Sequence, residues 1–235
     1  MKTDNIVWNE NNTPISTHFD DVYFSNDDAI AETQYVFIDG NHLNERFLAH
    51  EGHLFTIGET GFGSGLNFLI AWQQFLQFRQ HNPTHPLQQL QFISIEKYPL
   101  STNELISIHH AIIKQPLLME LAHQLQQQWP STAYQFNSVR LHVLFADISE
   151  FTSHLNHFKS GIDAWFFDGF SPAKNPAMWS NELFSELYKH TNKQATFATF
   201  TAAGQVKRHL LNAGFSVSKR KGYGKKREML IGYKD

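Results

Sequence analysis

Residues 54–79 read LFTIGETGFGSGLNFLIAWQQFLQFR. A short apolar run ends at Gly58, glycines follow at positions 61, 63 and 65, and an apolar helical face begins at Leu66. Glycine lets the chain turn through positive φ, and the start of the following helix presents free N–H groups. The stretch therefore predicts a strand over 54–57, a helix over 66–79 and a ligand at the turn between them.

The rest of the chain continues the alternation of apolar runs and helix-like stretches. Further strands are predicted over 90–95, 140–145, 164–167 and 195–200, helical segments over 102–129 and 206–212, and final strands over 215–219 and 229–233. The last two strands are expected to form an antiparallel pair at the edge of the sheet. This pattern predicts an α/β, Rossmann-like fold with a mostly parallel sheet and an antiparallel C-terminal strand.

The first 53 residues show no clean hydrophobic period. Two segments, Asp20–Ser25 and Tyr35–Ile38, are expected to form a small appended sheet, although a simple packing extension also fits. We therefore divide the chain into an N-terminal extension over 1–53, packed on the core, and one functional unit over 54–235.

Composition excludes several classes of protein. The chain has no cysteine, so disulfides, thiolate zinc sites and cysteine nucleophiles are excluded. Its start lacks the apolar core of a signal peptide and no run reaches transmembrane length, so we expect a cytoplasmic protein without a membrane partner. None of the 14 histidines has a carboxylate at metal-ligand spacing, and no catalytic metal is expected.

The net charge of −3 conceals two opposed regions. Residues 1–188 contain 8 Lys+Arg and 20 Asp+Glu, whereas residues 189–235 contain 11 and 2. A basic C-terminal region suggests a polyanionic partner, although a solvated charged face is the simpler alternative. Much of the N-terminal acid, such as Asp27, Asp28 and Glu32, has no role assigned from the sequence.

Acidic residues follow the first three predicted strands of the α/β unit. Glu59 precedes the glycine turn, Glu96 ends the second strand, and Asp147 ends the third. Glu96 is placed to bind ribose hydroxyls, and Asp147 to accept from an adenine amino group with Ile148 against the ring. The spacing differs from the Gly-x-Gly-x-x-Gly of pyrophosphate sites. Each acid alone could be a helix cap, but together they suit a cationic nucleoside such as S-adenosylmethionine.

The fourth strand ends at Asp168, within DAWFFDGFSPAKNP over residues 163–176. Methyltransferases that act on nitrogen often carry a short polar–Pro–aromatic motif here, and Asp168, Phe170 and Pro172 look like a variant of it. An Asx turn followed by a proline-rich loop would explain the proline, but not an exposed phenylalanine beside the carboxylate.

The sequence resembles the methyltransferase domain of the MnmC family. The matching stretches are FDDVYFSN (19–26), GETGFGSGLNFL (58–69), residues 163–176 with Met178-Trp179, ATFTAAG (198–204) and KRKGYGKKREML (219–230). The resemblance implies methyl transfer from S-adenosylmethionine to the 5-aminomethyl group of a (2-thio)uridine at the tRNA wobble position. The implied product is 5-methylaminomethyl-(2-thio)uridine, and the implied partner is the anticodon loop of tRNA.

These arguments give a set of candidate site residues. The predicted cofactor site comprises Glu59, Gly61, Phe62, Gly63, Gly65, Asn67, Glu96, Lys97, Asp147, Ile148 and Asp168. The predicted substrate site comprises Tyr23, Phe24, Phe170, Pro172, Lys221, Lys225, Lys226 and Arg227. Asp168 is the predicted catalytic residue, which accepts an N–H bond from the amine and assists its deprotonation. The aromatic residues are expected to stack a splayed-out base, although Tyr23 and Phe24 could equally belong to the core.

Members of this family are commonly fused to a C-terminal FAD-dependent oxidase domain. No second dinucleotide fingerprint occurs before Asp235, so we expect no FAD in this chain and an oxidase domain, fused or separate, as a partner. Two alternatives are an N-methyltransferase for a small-molecule amine, which has no use for the basic tail, and a catalytically silent tRNA-binding protein. An NAD-dependent oxidoreductase fits the glycine spacing less well.

Overall fold

The computed structural model describes residues 5–10, 13–24 and 28–235. Asp27, one of the acidic residues to which the sequence assigns no role, lies outside these ranges. The strands are β1 (Ile6–Trp8), β2 (Pro14–Ser16), β3 (Asp21–Val22), β4 (Leu54–Glu59), β5 (Gln89–Ile95), β6 (Ala133–Phe136), β7 (Val139–Leu144), β8 (Ile162–Phe166), β9 (Thr191–Thr199), β10 (Ser216–Lys221) and β11 (Glu228–Tyr233). The α-helices are α1 (Ala29–Thr33), α2 (Leu43–Ala49), α3 (Leu66–His81), α4 (Thr102–Ile112), α5 (Pro116–Gln126), α6 (Phe151–Leu155), α7 (Asn181–Lys189) and α8 (Gly204–Ala213).

The main sheet has eight strands in the order β10-β11-β9-β8-β4-β5-β7-β6. The five strands from β9 to β7 are mutually parallel, whereas β11 and β10 at one edge and β6 at the other run antiparallel to their neighbours. The Rossmann-like fold and the antiparallel C-terminal pair are thus confirmed. The antiparallel strand β6 at the opposite edge was not predicted.

The predicted helical region over 102–129 forms two helices instead of one. Ser101 and Glu104 form a reciprocal capping box at the start of α4. Proline has no N–H and is favoured in the first turn of a helix. Pro116 accordingly begins α5, a few residues after α4 ends at Ile112.

The N-terminal segment forms a small sheet, but not from both predicted segments. Strands β1, β2 and β3 pair antiparallel. Gln34–Ile38 is a π-helical turn that continues α1, so the strand predicted over Tyr35–Ile38 is wrong. Three consecutive apolar residues of this turn are buried, which an alternating strand cannot achieve, and Phe37 stacks on Phe166 of β8 at 5.1 Å. The division of the chain at residue 53 stays a prediction.

Parallel strands bring their carboxyl ends to one edge of the sheet, where open α/β folds place their ligands. The loops after β4, β5, β7 and β8 therefore meet. The β10–β11 hairpin joins them there, because Leu230 pairs with Thr199 at the end of β9 and the hairpin loop continues past that point.

Candidate active site

A cavity of about 550 Å³ opens at the carboxyl edge of the parallel strands. Its walls come from the loops after β4, β5, β7 and β8, from the N-terminal segment and from the β10–β11 hairpin. A volume of this size is typical of sites for small molecules and cofactors.

The glycine turn forms one wall of this cavity. Gly61, Gly63 and Gly65 have φ of 98°, 53° and 72°, which residues with a side chain rarely adopt. A Cβ at Gly65 would also lie 2.7 Å from the Phe62 ring, which is buried and stacks on Trp129 at 5.3 Å. Gly61 and Gly63 line the cavity. Phe62 also lines it, although its ring is buried in an aromatic stack, and Gly65 does not line it.

Asn67 connects two acidic residues at the floor of the cavity. Its amide Nδ2 donates to Glu59 Oε1 at 2.9 Å and to Asp168 Oδ2 at 2.7 Å. Its Oδ1 accepts from the Thr33 hydroxyl at 3.0 Å, and Ser94 donates to the other oxygen of Glu59 at 2.7 Å. Burial raises the pKa of the Glu59 carboxyl well above its usual value. Glu59 is completely buried and does not line the cavity, so it is connected to the cavity only through its contact with Asn67.

Asp168 faces the cavity from the end of β8. Its backbone exchanges hydrogen bonds with the Thr60 hydroxyl, and its Oδ1 accepts from the N–H of Gly169 at 2.8 Å. Burial, with a smaller contribution from the nearby Glu32 carboxylate, raises the pKa of the Asp168 carboxyl to about 6. A carboxyl with this pKa is ionised at neutral pH and still able to take up a proton.

The predicted ribose and adenine residues lie at the far end of the same cavity. Glu96 accepts from the N–H groups of Gly63 at 2.9 Å and Tyr98 at 2.8 Å, which fixes its carboxylate beside the glycine turn. Asp147 caps the turn at Ile148–Glu150 and pairs with Lys97 at 2.9 Å. Hydrogen bonds from Lys97 and Ser149 lower the pKa of Asp147 to about 2. The capping role considered from the sequence is therefore real, and Asp147 still lines the cavity beside Ile148.

Aromatic side chains from two parts of the chain form the opposite wall. Phe170 meets Tyr23 edge-on at 5.3 Å and stacks on Phe19 at 4.6 Å. The N-terminal segment is held there because Asp21 accepts from the N–H of Ser171 at 2.9 Å. Phe24 also lines the cavity, whereas Pro172 is half-buried outside it.

The predicted basic residues of the hairpin do not act as one group. Lys226 lines the cavity, while Lys221, Lys225 and Arg227 are exposed and lie outside its walls. The hairpin is attached to the N-terminal segment by the Tyr35 hydroxyl, which donates to the carbonyl of Lys221 at 2.9 Å. Arg220 lies over the same Tyr35 ring at 4.3 Å.

Sequence reasoning missed several residues of the cavity. Phe19, Glu32, Thr33, Tyr98, Met178 and Phe200 all line it. Phe19, Met178 and Phe200 lie within stretches that carried the family resemblance, so that signal was available. Glu32 and Thr33 had no comparable signal, because helix α1 has only five residues and no clear apolar period.

Comparisons with known proteins define the class of this site. Residues 116–235 match a family model described as S-adenosyl-L-methionine-dependent methyltransferase, and the chain belongs to this family. The crystal structure of MnmC2 from Aquifex aeolicus has the same fold, with a TM-score of 0.78, 24% identity, and coverage of 99% of this chain and 71% of that one. The predicted resemblance is confirmed at the level of family and fold.

Two more distant structures were also found. The match to TrmN from Thermus thermophilus has 15% identity and a TM-score of 0.45, and it covers 83% of this chain and 48% of the TrmN chain. A precorrin-6y C5,15-methyltransferase from Geobacter metallireducens has 11% identity and a TM-score of 0.44, and covers 83% and 88%.

The cavity fits the cofactor of this family. The φ of 98° at Gly61 disfavours any side chain, and a Cβ there would also lie 3.3 Å from Gly169, so glycine keeps this turn accessible beside the cavity. Glu96 and Asp147 supply acceptors for hydroxyl and amino groups, and carboxylates suit a cationic ligand. In the described ranges, no group of three His, Asp or Glu residues could hold a metal ion, and no helix is long and apolar enough to cross a membrane.

Proposed function

We propose that this protein methylates the 5-aminomethyl group of a (2-thio)uridine at the tRNA wobble position, giving 5-methylaminomethyl-(2-thio)uridine. The proposal includes the residue roles given above and a cytoplasmic location, with a tRNA anticodon loop as partner. An FAD-dependent oxidase, fused or separate, is proposed as the enzyme that supplies the amine. The family membership, the MnmC-type fold and the family motifs support it.

The observation that carries this proposal is Asp168 between the glycine turn and the aromatic wall. A primary alkylamine has a pKa of about 10, so it arrives as an ammonium ion and must lose a proton before its lone pair can react. The Asp168 carboxylate, with its pKa raised to about 6 by burial, accepts an N–H bond from this group and then its proton.

The network below Asp168 positions the carboxylate for this role. Asn67 binds one Asp168 oxygen and Gly169 the other, so the side chain cannot rotate freely. The bound cofactor supplies a methyl group already activated on a sulfonium, and the protein contributes mainly alignment and proton removal. Phe170 and Tyr23 offer aromatic surface on which a splayed base stacks, as anticodon-loop bases do on many proteins.

The exposed cations of the hairpin supply the contact with the polyanion. Lys221, Lys225 and Arg227 lie at the same edge of the sheet as the cavity, so a nucleotide in the cavity places its neighbours along them. A small-molecule amine would not need this surface, which favours tRNA over that alternative.

The decisive experiment is methyl transfer from radiolabelled S-adenosylmethionine to bulk tRNA from cells that lack the modification, followed by nucleoside analysis. We expect label in 5-methylaminomethyl-(2-thio)uridine alone. Label in no tRNA nucleoside would refute the tRNA proposal, and transfer only to free amines would favour the small-molecule enzyme.

A further inference from the structure

A buried acid outside the predicted site faces the cavity. Glu32, on helix α1, is buried, with only 9% of its surface exposed. Its Oε1 atom lies 2.9 Å from the Nζ atom of Lys226, which reaches in from the β10–β11 hairpin. The Lys226 side chain is 45% exposed, so the two partners of this ion pair are buried very unequally.

The surroundings of Lys226 Nζ form a binding site for a primary ammonium ion. Glu32 supplies the carboxylate, and the face of the Phe200 ring lies 4.7 Å from the nitrogen. Both residues line the same cavity as Asp168. The charges of Glu32 and Lys226 affect the pKa of the Asp168 carboxyl in opposite directions, as expected for groups close to it.

We propose that Glu32 and Phe200 bind the ammonium group of the substrate and that Lys226 is an internal stand-in for this group, displaced when the substrate enters. This inference rests on the proposed function, since it concerns how the amine reaches Asp168. A lysine side chain ends in the same primary alkylammonium that a 5-aminomethyl group carries, so both satisfy the same acceptors.

The hairpin permits this exchange without unfolding. Its backbone is held by the hydrogen bond from Tyr35 to the Lys221 carbonyl and by the pairing of β10 with β11. Only the flexible Lys226 side chain has to leave. Its ammonium then joins the exposed cations beside the cavity, where a phosphate of the bound tRNA can accept it.

The test measures binding to protein loaded with S-adenosylhomocysteine, so that no turnover occurs. The probes are the nucleoside 5-aminomethyl-2-thiouridine and its neutral analogue 5-methyl-2-thiouridine, neither of which carries a phosphate. For Lys226→Met we expect about fivefold to tenfold tighter binding of the amine, because the competing cation is gone. For Glu32→Gln we expect about tenfold weaker binding, because a charged acceptor is lost. The neutral analogue should bind equally to all three proteins.

Matched controls come from a second ion pair of the same hairpin. Lys219 and Glu228 lie 2.6 Å apart outside the cavity, so Lys219→Met and Glu228→Gln should leave nucleoside binding unchanged. The double variant Glu32→Gln with Lys226→Met leaves no unpaired buried charge, and it should bind the amine as weakly as Glu32→Gln does. It keeps the test available if a single variant fails to fold.

Failure of this inference is distinguishable from failure of the proposed function. If the unaltered protein methylates tRNA but Lys226→Met binds the amine no more tightly, or more weakly, then Lys226 is no competitor and the inference is wrong. If the unaltered protein neither binds the amine nucleoside nor methylates tRNA, the proposed function on which this inference rests is wrong.

Discussion

The floor of the cavity and the basic hairpin show two opposite ways of using charge. On the floor, Glu59 and Asp168 are held by one shared amide from Asn67, and burial raises the pKa of both carboxyls. On the hairpin, Lys221, Lys225 and Arg227 are exposed to solvent. A buried charge destabilises the fold unless its hydrogen-bonding groups are paired, and it shifts the pKa of neighbouring groups. An exposed charge is screened and contributes a small, replaceable increment.

The largest expected effect comes from Asp168 itself. Asp168→Asn keeps the size of the side chain but removes the proton acceptor, so we expect kcat to fall by about 10²- to 10⁴-fold. Binding of S-adenosylmethionine, measured by calorimetry, should weaken far less than kcat falls, because Asp168 is only one of several residues in the predicted cofactor site. Normal turnover in this variant would remove Asp168 from the mechanism.

The same variant also tests the burial argument through stability. Because the folded pKa of Asp168 lies above its ordinary value, the protonated form favours the folded state. This contribution to stability is complete below about pH 4 and is lost as the pH rises through about 6. Asp168→Asn cannot titrate, so relative to this variant the unaltered protein should gain melting temperature as the pH falls from 7.5 to 4.

A second prediction concerns the shared amide. Asn67→Ala removes the common donor of the buried Glu59 carboxyl and the half-buried Asp168 carboxyl, so we expect the free energy of unfolding to fall by about 1–3 kcal/mol. Denaturant unfolding measures this change. Gln73→Ala, which removes another buried polar side chain from α3, is the matched control. An equal loss in both variants would mean that helix packing, and not the carboxyl network, is responsible.

The sequence predicted the buried region better than the exposed one. The strand–turn–helix pattern fixes where Glu59, Asn67 and Asp168 lie, because parallel strands bring their ends together. Phe170 and Tyr23 were expected near Asp168 from the motifs that contain them, and the structure brings them into contact. That the shared amide of Asn67 binds both carboxyls could not be read from spacing, since it depends on side-chain rotamers.

The hairpin and the N-terminal segment were harder for a physical reason. Lys226 looked equivalent to Lys225 in the sequence, yet only Lys226 lines the cavity. Which lysine points inward depends on the long-range pairing with Glu32, far away along the chain. The strand predicted over Tyr35–Ile38 is instead part of a π-helical turn, because its apolar residues suit either structure and tertiary packing decides between them.

A third prediction follows from the pKa of Asp168. If the substrate binds as its ammonium form and Asp168 must be ionised, kcat/KM falls as the pH drops below about 6. At pH 5 the rate should be about tenfold below its plateau, since one proton inactivates the group. The measurement is a pH profile with tRNA as substrate, with the salt concentration held constant. The residual activity of Asp168→Asn should lack this acidic limb.

The smallest effects are expected from the exposed cations. Each of Lys221→Ala, Lys225→Ala and Arg227→Ala removes at most one phosphate contact, so the slope of log Kd against log salt should fall by roughly 0.7. At 0.15 M salt this corresponds to roughly fourfold weaker tRNA binding per variant. Lys193→Ala is the control. Lys193 is exposed near the start of β9, so it lies at the amino ends of the parallel strands, whereas the cavity lies at their carboxyl ends. If all four variants keep the original slope, the hairpin is a solvated face and tRNA binds elsewhere.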